Sequence, residues 1–335
     1  MVVILNKVKS FFKENWKFLI FLVLFYMFMT YELPYVIYSP GGSINMSERI
    51  SGDNTYSESG SISMTYVSMV RGSIPFLLAS YIIPNWDIVS TDKITYDGNT
   101  LDDTVEIDKI YMKETISNAE GIAYETANID YDILSKKTIV TNKSTNALTN
   151  LKYGDEIISI DDIKINGLKE LQDYVTKKSI GDKVEVKYIR DSKEYTDTAT
   201  LIDVGGLPKI GIGIATIKEY DTDYNIKVKT KSSESGPSGG LMTALEIYNK
   251  ITLDDITKGH KIMGTGTMES DGSVGEIGGV KYKLIGAVRK GADVFICPEE
   301  NYEEAKKLAD ERNYDIILIA AKTFSEAIES LKSLE

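Results

Sequence analysis

Ser235-Gly236-Pro237-Ser238-Gly239-Gly240 opens an apolar run, Leu241, Ala244, Leu245 and Tyr248, spaced i, i+3, i+4, i+7. That spacing lines one face of a helix, so the Ser238 hydroxyl sits at a helix start. Gly236, Pro237 and Gly239 leave it uncrowded, and the backbone N–H groups of a helix N-terminus offer a place for a developing oxyanion. A hydroxyl at such a place also serves as an N-cap, and position alone does not separate the two uses.

A second helical stretch, residues 280–290, follows Gly278-Gly279 and begins Val280-Lys281. A helical wheel puts Lys281 on the side of Ile285 and Val288, with Leu284 adjacent, and puts Lys283 on the far side with Ala287 and Lys290. Lys281 is thereby expected against apolar surroundings and Lys283 in solvent. Burial and the positive end of a helix both disfavour an ammonium, so Lys281 is placed to lose its proton and act as a base toward Ser238. Without Ser238 it reads as a surface lysine whose stem covers apolar area.

In these two motifs and their order, the stretch 205–334 resembles the proteolytic domain of the Lon-type serine proteases. That family carries its nucleophile in a Gly-Pro-Ser-small-Gly turn and its lysine after a Gly-Gly-aliphatic step, and the resemblance assigns these roles to Ser238 and Lys281. It gives Thr265, in Ile262-Met263-Gly264-Thr265-Gly266-Thr267, a supporting place beside the dyad, and matches Val294 to Asn301 (VFICPEEN) to a strand ending in a Pro-x-x-Asn-like turn. Gly239 stands where alanine is commoner, and Ser235 where many ATP-dependent members carry an acidic residue. No Gly-x-x-x-x-Gly-Lys-Ser/Thr loop occurs, so cleavage is expected without nucleotide.

Upstream, Leu151-Lys152-Tyr153-Gly154-Asp155-Glu156-Ile157-Ile158-Ser159-Ile160-Asp161, a helix 168–177 and a strand 184–188 ending in Arg190 resemble a bacterial PDZ domain. The resemblance implies capture of an extended peptide as an added strand, on residues 137–141 (Thr138, Ile139 and Val140) facing Leu168 and Leu171 of the helix. The alternative is a packing role alone.

At the other end, Lys7, Lys9, Lys13 and Lys17, opposed by Glu14, precede the unbroken apolar run 18–29. With Trp16 and residues 33–38 as flanks this reads as a single membrane span, basic side in the cytoplasm, with the remainder outside the plasma membrane. A cleaved signal peptide is the alternative, but Met29-Thr30-Tyr31-Glu32-Leu33 has no small-x-small cleavage site. The segment that follows, with Pro34-Tyr35 and Ser39-Pro40-Gly41-Gly42, is similar to a membrane-anchored Lon-like subgroup and is expected to pack on the protease domain.

The organisation expected is α+β and multidomain: residues 1–31 basic tail and transmembrane helix, 32–116 a packing segment, 117–204 a β-rich PDZ-like domain, 205–335 a Lon-type α+β protease domain. The net charge of −12 argues against nucleic acid. One histidine, His260, and one cysteine, Cys297, do not make a zinc cluster, so neither a metal nor another cofactor is expected. Cys297, in Val294-Phe295-Ile296-Cys297, reads as a small core residue. Two functions fit: a membrane-anchored, ATP-independent Ser/Lys endopeptidase acting on exported peptides or unfolded segments, or a non-catalytic tethered PDZ adaptor with a degenerate Lon-like domain. Nothing encodes a ring interface, so the oligomeric state stays open.

Overall fold

The computed structural model describes residues 2–96 and 98–335, with the backbone alone described for residues 2–8. Helix α1 (Val2–Thr30) leads into strand β1 (Glu32–Asn45), then β2 (Ile50–Ser51), β3 (Ser61–Ser73), α2 (Ile74–Ser80) and β4 (Asp87–Ser90). The long helix α3 (Leu101–Thr126) comes next, then β5 (Asp132–Lys143), β6 (Glu156–Ile160), β7 (Ile163–Lys164), α4 (Leu168–Val175), β8 (Lys183–Arg190) and β9 (Lys193–Thr200). Short β10 (Ile202–Val204) and β11 (Leu207–Lys209) precede β12 (Ile212–Asp221) and β13 (Lys227–Val228). The chain ends with α5 (Gly240–Ile251), β14 (Lys261–Gly264), α6 (Val280–Arg289), β15 (Val294–Pro298), α7 (Glu299–Arg312), β16 (Ile317–Ala321) and α8 (Phe324–Lys332).

Two compact units form: residues up to Pro40 with Val67–Ile94, and Gly41–Tyr66 with Thr95–Glu335. In the first, β1 and β4 pair antiparallel from Tyr35↔Ser90 to Tyr38↔Asp87. Its helix α1 carries the apolar run 18–29, whose twelve residues rise roughly 18 Å against a hydrocarbon core of about 30 Å. Among the described residues no helix is long and apolar enough to cross a membrane, so the expected transmembrane helix is not found. Lys17, Glu14 and Lys13 cut the run off on one side and Glu32 on the other.

In the second unit, β3, β14, β15 and β16 lie side by side and parallel. Alternation along these strands sends Ile262, Val294, Ile296 and Ile319 to a core shared with α5 and α8, and Met263, Phe295 and Cys297 to a core shared with α6 and α7. Helices on both faces of a parallel array make this part mixed α/β, a correction to the α+β expectation: each of α6 and α7 carries the chain back to start the next parallel strand. Cys297 is buried there, and burial pushes its thiol up to about 12. His260 sits at the edge of this unit with Nε2 3.1 Å from the Glu335 carbonyl.

Residues 132–221 form an antiparallel sheet ordered β12-β5-β6-β8-β9 over a core of Val140, Leu151, Ile157, Ile160, Val184 and Val186. The Leu-x-x-Gly-Asp turn is fixed by Asp155, buried beneath Arg190, whose Nε and Nη2 each reach one of its oxygens at 2.6 Å.

Helix α3 joins the two halves of this unit, packing on α5 and on β12. Thr100 and Asp103 start it with a capping box, the Thr100 Oγ1 accepting from the Asp103 N–H and the Asp103 carboxylate from the Thr100 N–H. It runs unbroken through residues 116 and 117, where the sequence reading places a domain boundary. Its buried face mixes Thr104, Thr115, Ser117, Asn118 and Gly121 with Ile107, Ala119, Ile122, Ala123 and Tyr124, so polar positions interrupt the hydrophobic periodicity.

Candidate active site

The turn that carries Ser238 is locked to the segment beside it. The Ser238 carbonyl accepts from the Gly266 N–H and from the Thr265 Oγ1, both at 2.9 Å, and the Leu241 N–H donates to the Gly266 carbonyl at 3.0 Å. Ser238 itself is half-buried just ahead of α5, whose N-cap position is Gly239 with no side-chain cap, so its hydroxyl is not used as a cap. Gly236 holds φ +92, open to glycine at no cost, and its N–H donates to the Asp108 carbonyl of α3 at 3.1 Å. That N–H is thereby committed to α3.

Gly240 is required by crowding. A Cβ there would lie 2.3 Å from the Thr115 Oγ1 and 2.7 Å from the Met268 nitrogen. Thr115 in turn accepts from the Met268 N–H at 2.9 Å, and Asn118 Nδ2 donates to the Met268 carbonyl at 3.0 Å. Gly240→Ala is expected to destabilise the fold by about 1–3 kcal/mol, read as an earlier denaturant midpoint at unchanged slope.

The lysine beside this turn is Lys283. It is 3 % exposed, and its Nζ donates to the Thr265 Oγ1 at 3.0 Å, the same hydroxyl that donates to the Ser238 carbonyl. Burial lowers its pKa to about 7. Lys281, the expected base, is instead half-exposed, with its Nζ 5.3 Å from the Tyr282 ring centroid. The reason lies in α6: Val280, Tyr282, Lys283, Leu284, Ile285, Gly286 and Ala287 are all buried, so its first two turns offer solvent only at Lys281. The wheel assigned the far side to water from Lys290, which lies beyond the helix's last residue. The short face of Val280, Leu284 and Ala287 beside Lys283 was the signal in the sequence that pointed to burial.

Gly279 starts α6 in a left-handed conformation, φ 70, and the loop before it is pinned by Asn301. Asn301 Oδ1 accepts from the Ile277 N–H at 2.9 Å and Nδ2 donates to the Ile277 carbonyl at 3.0 Å, which explains the Asn that closes the VFICPEEN stretch. A cavity of about 150 Å³ opens against the turn, lined by Pro237, Thr267, Met268 and Glu269 and, from α3, Tyr111 and Glu114. Burial holds the Glu114 carboxyl above its usual range despite its hydrogen bond from the Thr216 N–H, and Glu269 adds to the effect. Glu246, on α5 and fully buried, is likewise pushed up by burial and by neighbouring Glu58, with Lys250 Nζ 3.3 Å away.

The peptide groove differs from expectation. Thr138, Ile139 and Val140 lie inside the sheet: Thr138 pairs with Thr216 on one side and Ile157 on the other, Ile139 with Ala215 and Glu156, and Val140 is in the core. A strand paired on both sides cannot take a third. The edge strand next to β5 is β12, and α3 covers its far part: Glu114 Oε1 accepts from the Thr216 N–H at 2.6 Å, and the Ser117 hydroxyl accepts from the Lys218 N–H and donates to the Lys218 carbonyl. Beside the start of β12 lies a groove of about 680 Å³. Leu168, Leu171 and Val175 of α4 line one wall, and Ile210, Gly211 and Ile212 the other. Gly211, at φ +81, and the alternation Ile210-Gly211-Ile212-Gly213-Ile214 were the overlooked signs of this strand.

Comparison with known proteins matches these halves separately. Residues 122–201 fit the PDZ domain model, and residues 210–333 fit that of the Lon protease (S16) C-terminal proteolytic domain. The chain thus joins a PDZ domain to a Lon-type proteolytic domain. It is 28 % identical over 237 residues to a Lon protease of Campylobacter jejuni, covering 66 % of this chain and 28 % of that one. A Lon protease of Helicobacter pylori is 26 % identical over 196 residues, covering 55 % and 23 %. The chain spans less than a third of the length of either relative. The PDZ domain of an SdrC-like protein from Listeria monocytogenes is 26 % identical, covering 25 % of this chain and 92 % of that one, with a TM-score of 0.23.

Proposed function

We propose that this protein is a membrane-associated serine endopeptidase in which Lys283 activates Ser238, working without ATP on peptides or unfolded segments held by its PDZ domain. One observation carries the reading: a buried lysine, with its pKa lowered to about 7, shares the Thr265 hydroxyl with the backbone of Ser238. An amine whose neutral form is substantially populated near pH 7 is what a serine needs as its base when no histidine stands beside it.

In the proposed cycle Lys283 Nζ takes the proton of the Ser238 hydroxyl as its oxygen bonds to a substrate carbonyl carbon. The N–H groups of Ser238 and Gly239 hold the resulting oxyanion. The C–N bond then breaks, the ammonium of Lys283 returning the proton to the leaving amine, and an acyl-serine ester remains. Water attacks that ester and gives a proton to Lys283, which passes it to the Ser238 oxygen as the ester bond breaks, releasing the new carboxyl terminus and restoring the neutral amine. Thr265 orients the amine throughout. The test is the appearance of new N-termini when purified full-length chain is incubated with an unfolded protein and no nucleotide; an intact substrate would contradict the proposal and leave a tethered PDZ adaptor.

Capture is proposed at the start of β12, where a peptide would add as a strand and set alternate side chains against Leu168, Leu171 and Val175. Lys143 and Lys209, which also line the groove, suit a terminal carboxylate. Leu168 is half exposed, so Leu168→Asp leaves the fold alone and is expected to weaken binding of a fluorescent apolar-tailed peptide about tenfold, measured by anisotropy.

Membrane association rests on α1, whose residues 18–29 stay exposed apart from partial cover at Leu19, and on the lysines before them. The proposed place is the plasma membrane, with the catalytic unit on its outer face.

A further inference from the structure

Between α1 and the catalytic unit's sequence lies a stretch that the proposed chemistry does not use. Residues 72–86, Gly-Ser-Ile-Pro-Phe-Leu-Leu-Ala-Ser-Tyr-Ile-Ile-Pro-Asn-Trp, hold no charged side chain. They form α2 and the turn after it, and α2 buries none of its residues. Tyr81 is 82 % and Ile82 84 % exposed, with Phe76, Leu78 and Ile83 also open to solvent. The Phe76 and Trp86 rings lie 6.3 Å apart between centroids, so the aromatic groups gather on one side of the turn.

This patch sits beside the end of α1 from which the chain leaves. Helix α2 packs on α1 within the same unit. Gly72, two residues before α2, approaches β1 so closely that a Cβ would lie 2.6 Å from the Tyr35 carbonyl oxygen, and Arg71 Nη1 meets Glu32 Oε2 at 3.2 Å. Those contacts hold the uncharged turn next to residues 30–35, continuous with the exposed apolar run of α1.

We infer that residues 74–86 are a second lipid contact, dipping into the headgroup and upper acyl region of a phospholipid bilayer beside the end of α1. This rests on the proposed membrane association of α1 and adds a separate surface to it. Aliphatic side chains framed by Phe, Tyr and Trp without charge match the membrane interface, where an aromatic ring keeps its polar edge wet and its face in hydrocarbon. The patch also answers the shortness of the α1 run: an element too short for the bilayer gains its remaining contact from what packs beside it.

The chain has two tryptophans, Trp16 in α1 and Trp86 in this turn, so each surface reports separately. In the full chain, Trp16→Phe leaves Trp86 as the probe and Trp86→Phe leaves Trp16. With vesicles of phosphatidylcholine and phosphatidylglycerol carrying brominated acyl chains, both are expected to shift to the blue and to be quenched. Tyr81→Asp with Ile82→Asp, at sites too exposed to disturb packing, should abolish Trp86 quenching and leave Trp16 quenching unchanged. Quenching of Trp16 with none of Trp86 overturns the lipid contact and spares the α1 reading. No quenching of either defeats both. A blue shift of Trp86 that grows with protein concentration and needs no vesicles overturns the inference in favour of a second copy of this chain.

Discussion

Ser238→Ala is expected to remove peptide hydrolysis, lowering kcat by on the order of 10⁴-fold or more with the fold and peptide affinity intact. In the proposed cycle the hydroxyl forms the covalent bond, and Thr265, buried nearby, spends its own hydroxyl on Lys283 and the Ser238 carbonyl. The turn is held by backbone bonds from Gly266 and to Asp108, so removing one oxygen from Ser238 breaks none of them. Cleavage of an unfolded protein followed by mass spectrometry reads the effect. Unchanged cleavage in the variant would remove the serine mechanism.

Lys283→Met should cost at least about 10²-fold in kcat, whereas Lys281→Met should leave turnover near that of the unaltered chain. Methionine keeps the volume and apolar stem of a buried lysine and removes the amine. The pH dependence follows from the direction of the shift. The base must be neutral, so activity rises with pH through about 7 and then levels. Glu246 lies on α5, the helix that follows the turn, and is also displaced upward, so Glu246→Gln is the control: the rise should survive it and vanish with Lys283.

Stability has its own sign. The pKa of Lys283 falls from 10.5 in the unfolded chain to about 7 in the fold, so between those values the unfolded state binds more protons and stability rises with pH. Below about 7 the burial cost is present in full. Lys283→Met lacks this dependence, and its advantage in a urea melt should shrink as pH climbs from 7 toward 10.5.

Much of this was legible in the residues. Ser238 was marked by its glycine-rich turn and the apolar spacing behind it, and the helices and strands of the C-terminal half follow their periodicity within a few residues. Thr323 caps the last helix, accepting from the Glu326 N–H, while the Glu326 carboxylate takes the Lys322 N–H. The lysine was misplaced by two positions because a wheel assumes a solvated side, and α6 is enclosed by β14, α7 and β15. The span was misjudged because length was borrowed from flanks that the structure uses as a charged helix and a strand. The groove strand was missed because it follows the rest of the PDZ sequence and completes the sheet from the far end of the chain segment. Helix α3, which holds the Ser238 turn at Asp108, the Met268 backbone at Thr115 and the β12 edge at Glu114, interleaves these polar contacts with its buried apolar residues, which blurs its periodic trace.

The most direct measurement is the titration of the Lys283 side chain itself, by NMR of the chain labelled with carbon-13 at lysine Cε and assigned with Lys283→Met. A midpoint near 7 is predicted for that one resonance. A midpoint at the ordinary lysine value, about 10.4, would leave Ser238 without a neutral base at physiological pH and contradict the account.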